Sequence, residues 1–127
     1  MRLPSSLRLK ESRHFQRVRE KGVSHPGRFL VLATLRDEES PEFLFGLITG
    51  KKIGKAVTRN RIRRLLREII RAHRSEIQPG YHFVTIARWR SPDATLQELE
   101  QDWLRLAKRA GLLKKTQRPA TSTAPNE

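Results

Sequence analysis

The chain has no cysteine, which removes disulfide staples, thiolate nucleophiles and every zinc site built on sulfur ligands. Long apolar runs are missing too. No stretch approaches the roughly 18 to 20 residues that a bilayer-spanning helix needs, and the opening Met1-Arg2-Leu3-Pro4-Ser5-Ser6 leads into charge instead of an apolar signal segment. These absences predict a cytoplasmic protein with no membrane partner. Histidine is sparse: His14, His25, His73 and His82 are scattered without metal-ligand spacing. Acidic residues are scarce as well, 13 against 27 Lys plus Arg. They gather in the Asp37 to Glu42 stretch and at Glu98, Glu100 and Asp102, where solubility and helix capping account for them. Neither a protein-borne catalytic site nor a metal site is expected, and a binding subunit is.

What the chain does have is positive charge. The formal net charge is +14 over 127 residues, a self-repulsion that points to a polyanionic partner, with nucleic acid the first candidate. Ten basic residues lie between Lys51 and Arg74 (Lys51, Lys52, Lys55, Arg59, Arg61, Arg63, Arg64, Arg67, Arg71 and Arg74) against the single acid Glu68. In the same segment Ile62, Leu65, Leu66, Ile69, Ile70 and His73 recur at helical spacing, which predicts a helix over 59–74. On a wheel of about 100° per residue, Asn60, Arg63, Arg64, Arg67, Arg71 and Arg74 fall opposite that apolar stripe, and Arg59 and Arg61 fall at its two borders. Arg63 with Arg67, and Arg67 with Arg71, are like-charge i,i+4 pairs that cost an isolated helix roughly 0.2–0.5 kcal/mol each. Helix stability does not explain such a face, whereas a phosphate backbone does, and arginine can meet phosphate in bidentate fashion.

The remaining elements follow from pattern. Ser12 to Lys21 reads as a short helix capped by Ser12 and ended at Gly22. Arg28 to Leu35 and Phe43 to Thr49 read as an antiparallel strand pair around the acidic, Pro-containing loop, and Tyr81 to Ala87 reads as a third strand. Thr95 with Glu98 forms a capping-box pattern, after which Leu96, Leu99, Trp103, Leu106, Ala107 and Ala110 line one helical face up to Gly111. The expected fold is a single α+β domain, an α-β sandwich in the order α-β-β-α-β-α. Its expected bounds are 7–112, after a flexible segment 1–6 and before a disordered tail at 113–127, where apolar periodicity stops. Thr49-Gly50-Lys51-Lys52-Ile53-Gly54-Lys55-Ala56 is not a P-loop. Its glycines are one residue too close, and Ala56 stands where the Mg²⁺-binding hydroxyl belongs. The glycines serve instead to turn strand into helix, setting lysines and backbone N–H groups at a helix N-terminus that favours anions. By charge alone, a ribosomal protein or another structural RNA binder fits as well. A DNA-binding regulator fits less, because strands flank the basic helix where a helix-turn-helix pair would be needed.

The run Lys51-Lys52-Ile53-Gly54-Lys55-Ala56-Val57-Thr58-Arg59-Asn60-Arg61-Ile62-Arg63-Arg64-Leu65-Leu66-Arg67-Glu68 closely resembles the signature of the bacterial ribonuclease P protein subunit. Leu9-Lys10 with Phe15, Val18 and Gly22 resembles that family's opening helix, and Val84-Thr85-Ile86-Ala87-Arg88 its last strand, so the likeness spans roughly residues 7–112. The resemblance implies a left-handed β-α-β crossover through the basic helix. It implies binding to ribonuclease P RNA, one protein per RNA, and to precursor tRNA whose 5′ leader is cleaved, with Mg²⁺ held by the RNA and none by the protein alone. It assigns Lys51, Lys52, Lys55, Arg59, Asn60, Arg61, Arg63, Arg64 and Arg67 to the RNA subunit, and Phe15 and Arg19 to the leader. Arg19 and Ala33 stand where many members carry further aromatics, His82 where Asp is frequent, and Leu44 where Arg often precedes the Phe45-Gly46 pair.

Overall fold

The computed structural model describes residues 3–114. Seven main elements follow in the order α1 (Ser12–Lys21), β1 (Val23–Pro26), β2 (Leu30–Arg36), β3 (Leu44–Ile48), α2 (Ala56–Ala72), β4 (Tyr81–Ala87) and α3 (Leu96–Ala110). The strands form one mixed sheet in the spatial order β1-β2-β4-β3. β1 runs antiparallel to β2 and β2 antiparallel to β4, while β3 runs parallel to β4.

Two features depart from the sequence reading. The strand β1 is additional, making the order α-β-β-β-α-β-α. Its Val-Ser-His-Pro sequence is mostly exposed and carries no alternating apolar pattern, as befits a short edge strand whose proline stands where no further strand needs its N–H. The second departure is that β2 and β3 do not pair with each other, because β4 lies between them. β4 is apolar on both faces, through Phe83 and Ala87 on one and Val84 and Ile86 on the other, and its central position buries Phe83, Val84 and Ala87. The parallel β3–β4 pair needs a crossover rather than a hairpin, and α2 supplies it.

The sheet has one thick face and one thin one. On the first, Ile62, Leu66, Ile69 and Ile70 of α2 and Leu99, Trp103 and Leu106 of α3 close over Leu30, Leu32, Phe45 and Phe83. Removing any of those aliphatic side chains to Ala would cost ~2–5 kcal/mol. Trp103 donates its indole N–H to the buried Thr85 hydroxyl at 3.2 Å. The Thr95–Glu98 capping box forms in both directions, and Gly111 ends α3 in the left-handed region at φ 73°. Leu96, expected on the apolar face, sits in the first turn and is exposed. On the second face α1 alone lies across the sheet, with Val18 buried against Ala33 and Val84.

Local ends differ in detail. Glu11, not Ser12, occupies the N-cap of α1 and gives no side-chain hydrogen bond. Gly22 follows that helix in an extended conformation, and only a glycine fits there because a Cβ would sit 2.1 Å from the Thr34 carbonyl oxygen of β2. Ser5–Leu7 forms a 3-10 turn with Leu7 buried. Leu113 bridges to Ile77, and the Lys114 N–H donates to Glu76 O at 2.6 Å. The packed unit thus reaches past residues 7–112 at both ends, and the rest of the expected tail, 115–127, lies outside the described residues.

Candidate nucleic-acid interface

The apolar stripe of α2 is pinned to the sheet, so the opposite side of the helix must face outward. Lys51, Lys52, Lys55, Asn60, Arg61, Arg64 and Arg67 are exposed, and Arg59 and Arg63 are half-buried at the helix border. The Arg63 guanidinium donates to Asn60 Oδ1 at 3.1 Å, which orients both side chains along one edge. Arg61 is two positions from both Arg59 and Arg63, hence about 160° around the helix from each, and lies on the other flank.

Upstream of α2, Lys51–Ile53 form a 3-10 turn, and Gly54 follows at φ 141°, a backbone conformation that a side chain would strain. Lys55 caps α2 without any side-chain hydrogen bond, which leaves the first-turn N–H groups of a 17-residue helix free among three lysines. Partial positive charge and formal charge coincide there. The Arg59 Nε close by is buried and unpartnered among the described residues.

One basic residue was invisible to the helical pattern. The Leu9 N–H donates to Phe45 O at 2.8 Å and Arg8 bridges to Phe45, so the segment before α1 runs along the edge of β3. This places Arg8 with Arg64, Arg67 and Arg71 around a depression of about 700 Å³. Burial, followed by the charges of Arg8 and Arg63, pushes the Arg67 guanidinium below its ordinary pKa. An anion placed among these three guanidinium groups would relieve that repulsion.

The thin face of the sheet holds a cleft of about 900 Å³ beside α1. Its floor is Val31, Ile48 and Ile86, one residue from each of three strands, and Lys10, Phe15 and Arg19 stand along α1's side. Phe15 is half-buried with its ring pressed on Gly46, where a Cβ would fall 2.4 Å from the ring edge. A smaller cavity of about 270 Å³ is lined by Phe15, Gly46, Arg8, Arg63 and Arg67, sharing Phe15 with the cleft and Arg8 and Arg67 with the depression beside α2. Ala33 is fully buried beneath α1 and so cannot face a ligand. His82 stands at the other end of β4, its Nε2 3.8 Å from Asp37 Oδ2. Burial lowers its pKa, Asp37 opposes that shift, and Arg17 and His14 add to it.

Among the described residues no three His, Asp or Glu side chains gather where a metal ion could be held. No helix in them is long and apolar enough to cross a membrane.

A family model described as Ribonuclease P matches residues 3–111. The chain is 42% identical over 105 residues to the ribonuclease P protein component of Bacillus cereus, covering 83% of this chain and 91% of that protein. It is also 42% identical over 105 residues to the component from Bacillus anthracis, covering 83% and 88%. The solved RNase P protein of Staphylococcus aureus superposes with a TM-score of 0.79 at 32% identity, over 85% of this chain and 98% of that one. The RNase P protein from Thermotoga maritima superposes with a TM-score of 0.72 at 26% identity, over 80% and 96%.

Proposed function

Because the chain belongs to the ribonuclease P protein family, we propose that its basic helix edge holds ribonuclease P RNA while the cleft on its thin sheet face holds the 5′ leader of precursor tRNA. As a ribonuclease P protein component it is part of an endoribonuclease of tRNA 5′ maturation and partners the ribonuclease P RNA. In this reading Lys51, Lys52, Lys55, Arg59, Asn60, Arg61, Arg63, Arg64 and Arg67 contact the RNA subunit, joined by Arg8. Phe15 and Arg19 contact the leader. One protein serves one RNA in the cytoplasm, and the RNA holds the Mg²⁺ that supports phosphodiester hydrolysis.

The observation that carries the reading is the cavity shared by Phe15, Arg8, Arg63 and Arg67. A strand lying on Val31, Ile48 and Ile86 is led by it to the same edge that grips the RNA subunit, so substrate and catalyst are held side by side. The chemistry asked of the protein is positioning and charge neutralisation. Guanidinium and ammonium groups displace counterions from phosphate, and the aliphatic floor accepts extended, unpaired nucleotides without demanding a sequence.

The test is reconstitution with a bacterial ribonuclease P RNA, with precursor cleavage followed at low Mg²⁺. Cleavage should be strong with the protein and weak without it, and the rate with RNA alone should approach the holoenzyme rate as Mg²⁺ is raised. A rate at low Mg²⁺ that is indifferent to the protein would refute the proposal.

A further inference from the structure

The chain's two tryptophans take opposite positions. Trp103 is fully buried, whereas Trp89, just beyond the end of β4, keeps 65% of its surface exposed. A single exposed apolar side chain is ordinary on a protein surface. The setting of this one is not. Arg88 and Arg90 flank it, and the Arg90 guanidinium lies over the indole, 5.5 Å from the ring centroid. Arg88 is fixed by a 2.7 Å hydrogen bond from its Nη1 to the Gly27 carbonyl oxygen. Three residues earlier on the same chain, Ile86 forms part of the cleft floor, so about 10 Å of extended backbone at most separates the floor from the indole.

A flat aromatic face with cations at its sides suits an unpaired nucleotide: the base stacks, the guanidinium groups meet the phosphate, and no base edge is read. The cleft has little else of this kind, since Phe15 is its single aromatic lining residue. We propose that Trp89, with Arg88 and Arg90, is a stacking site for a nucleotide of the 5′ leader that has run past the cleft floor. The proposal rests on the reading that the cleft holds the leader.

The experiment measures holoenzyme affinity for precursors whose leaders lengthen one nucleotide at a time, using wild type, W89A, W89F and F15A. Wild-type affinity should rise as the leader outgrows the cleft. W89A should lose that rise, a deficit of about five- to a hundred-fold at the longest leaders, and W89F should recover most of it. Intrinsic fluorescence gives an independent readout, because long leaders should quench an emission component that wild type has and W89F lacks. If W89A gains affinity with leader length as wild type does, while F15A does not, the stacking site is refuted and the cleft reading survives. If wild type gains nothing from a leader, both fail. A W89A defect in assembly with the RNA subunit that is independent of leader length would assign the indole to that RNA and overturn the proposal.

Discussion

Asp102 and Phe15 show how single residues carry more than their type suggests. Asp102 reads in the sequence as one more acid on a solvated helix. In the fold it is 2% exposed and accepts the backbone N–H groups of Arg28, Phe29 and Leu30 at 3.1, 2.8 and 3.0 Å, with Arg105 pairing from the side. It fastens α3 to the start of β2, and only the folded path brings those partners together across more than seventy residues. Asp102→Ala leaves the buried N–H groups of Phe29 and Leu30 without that acceptor, and at ~1–3 kcal/mol for each one left unpaired urea denaturation should show a loss of at least about 2 kcal/mol. Asp102→Asn, which keeps one acceptor oxygen, should lose less. Phe15 serves both as a packing residue beside Leu9 and Val18 and as a cleft wall. Its place on the apolar face of α1 is legible from spacing, but the glycine seat beneath its ring is not. Phe15→Leu retains apolar volume without a stacking face, so it should keep the fold yet raise the dissociation constant for leader-bearing precursor by about five- to a hundred-fold. Equal losses for leader-bearing and mature tRNA would remove Phe15 from the leader site.

At the scale of elements, α2 and α3 meet through His73, which follows α2 at its C-cap. His73 Nε2 lies 2.7 Å from Glu100 of α3 and Nδ1 lies 3.2 Å from Glu76, while the ring stacks on Trp103. Burial acts to lower the His73 pKa, but the hydrogen bonds and charges of Glu100 and Glu76 outweigh it and the net shift is upward. A histidine raised in the folded state contributes stability that is fully present below its unfolded pKa of about 6.5 and is lost as pH rises through the raised value. The difference in urea midpoint between wild type and His73→Gln should therefore be largest at mildly acidic pH and shrink as the solution turns alkaline. His82 works in the opposite sense, its lowered pKa disfavouring the fold as pH falls below about 6.5, which is why the difference against His73→Gln is the informative quantity. The helices were the legible part of this chain, since apolar periodicity, a capping box and a terminal glycine are local signals. The pairing of the strands was not. Adjacent strands pair or neighbour one another about two-thirds of the time, and nothing local to β2 or β3 reveals that β4 inserts between them. β1 stayed hidden for a related reason, since hydrogen bonding to Val31–Thr34 makes it a strand and its own residues do not.

On the scale of the molecule, the two faces of the sheet and the edge between them differ in what they present. The thick sheet face holds two helices and the core. The thin face offers an aliphatic cleft, and the edge between them gathers Arg8 with the arginines of α2. The basic helix edge was readable from the sequence at Arg63, Arg67 and Arg71, because their like-charge spacing had no structural reason. Arg8 was not readable, because its nearness to Arg67 depends on the path of the chain along β3. On the proposed function this edge binds ribonuclease P RNA through its phosphates. The most direct test is the salt dependence of that binding, measured for wild type and for the triple variant Arg63→Ala, Arg64→Ala, Arg67→Ala, whose apolar stripe is untouched. Each phosphate contact contributes a log–log slope of about −0.7 to −0.9. The variant should bind more weakly and with a shallower slope, by about two to three units if each arginine neutralises one phosphate. A folded variant with the wild-type affinity and the wild-type slope would contradict it.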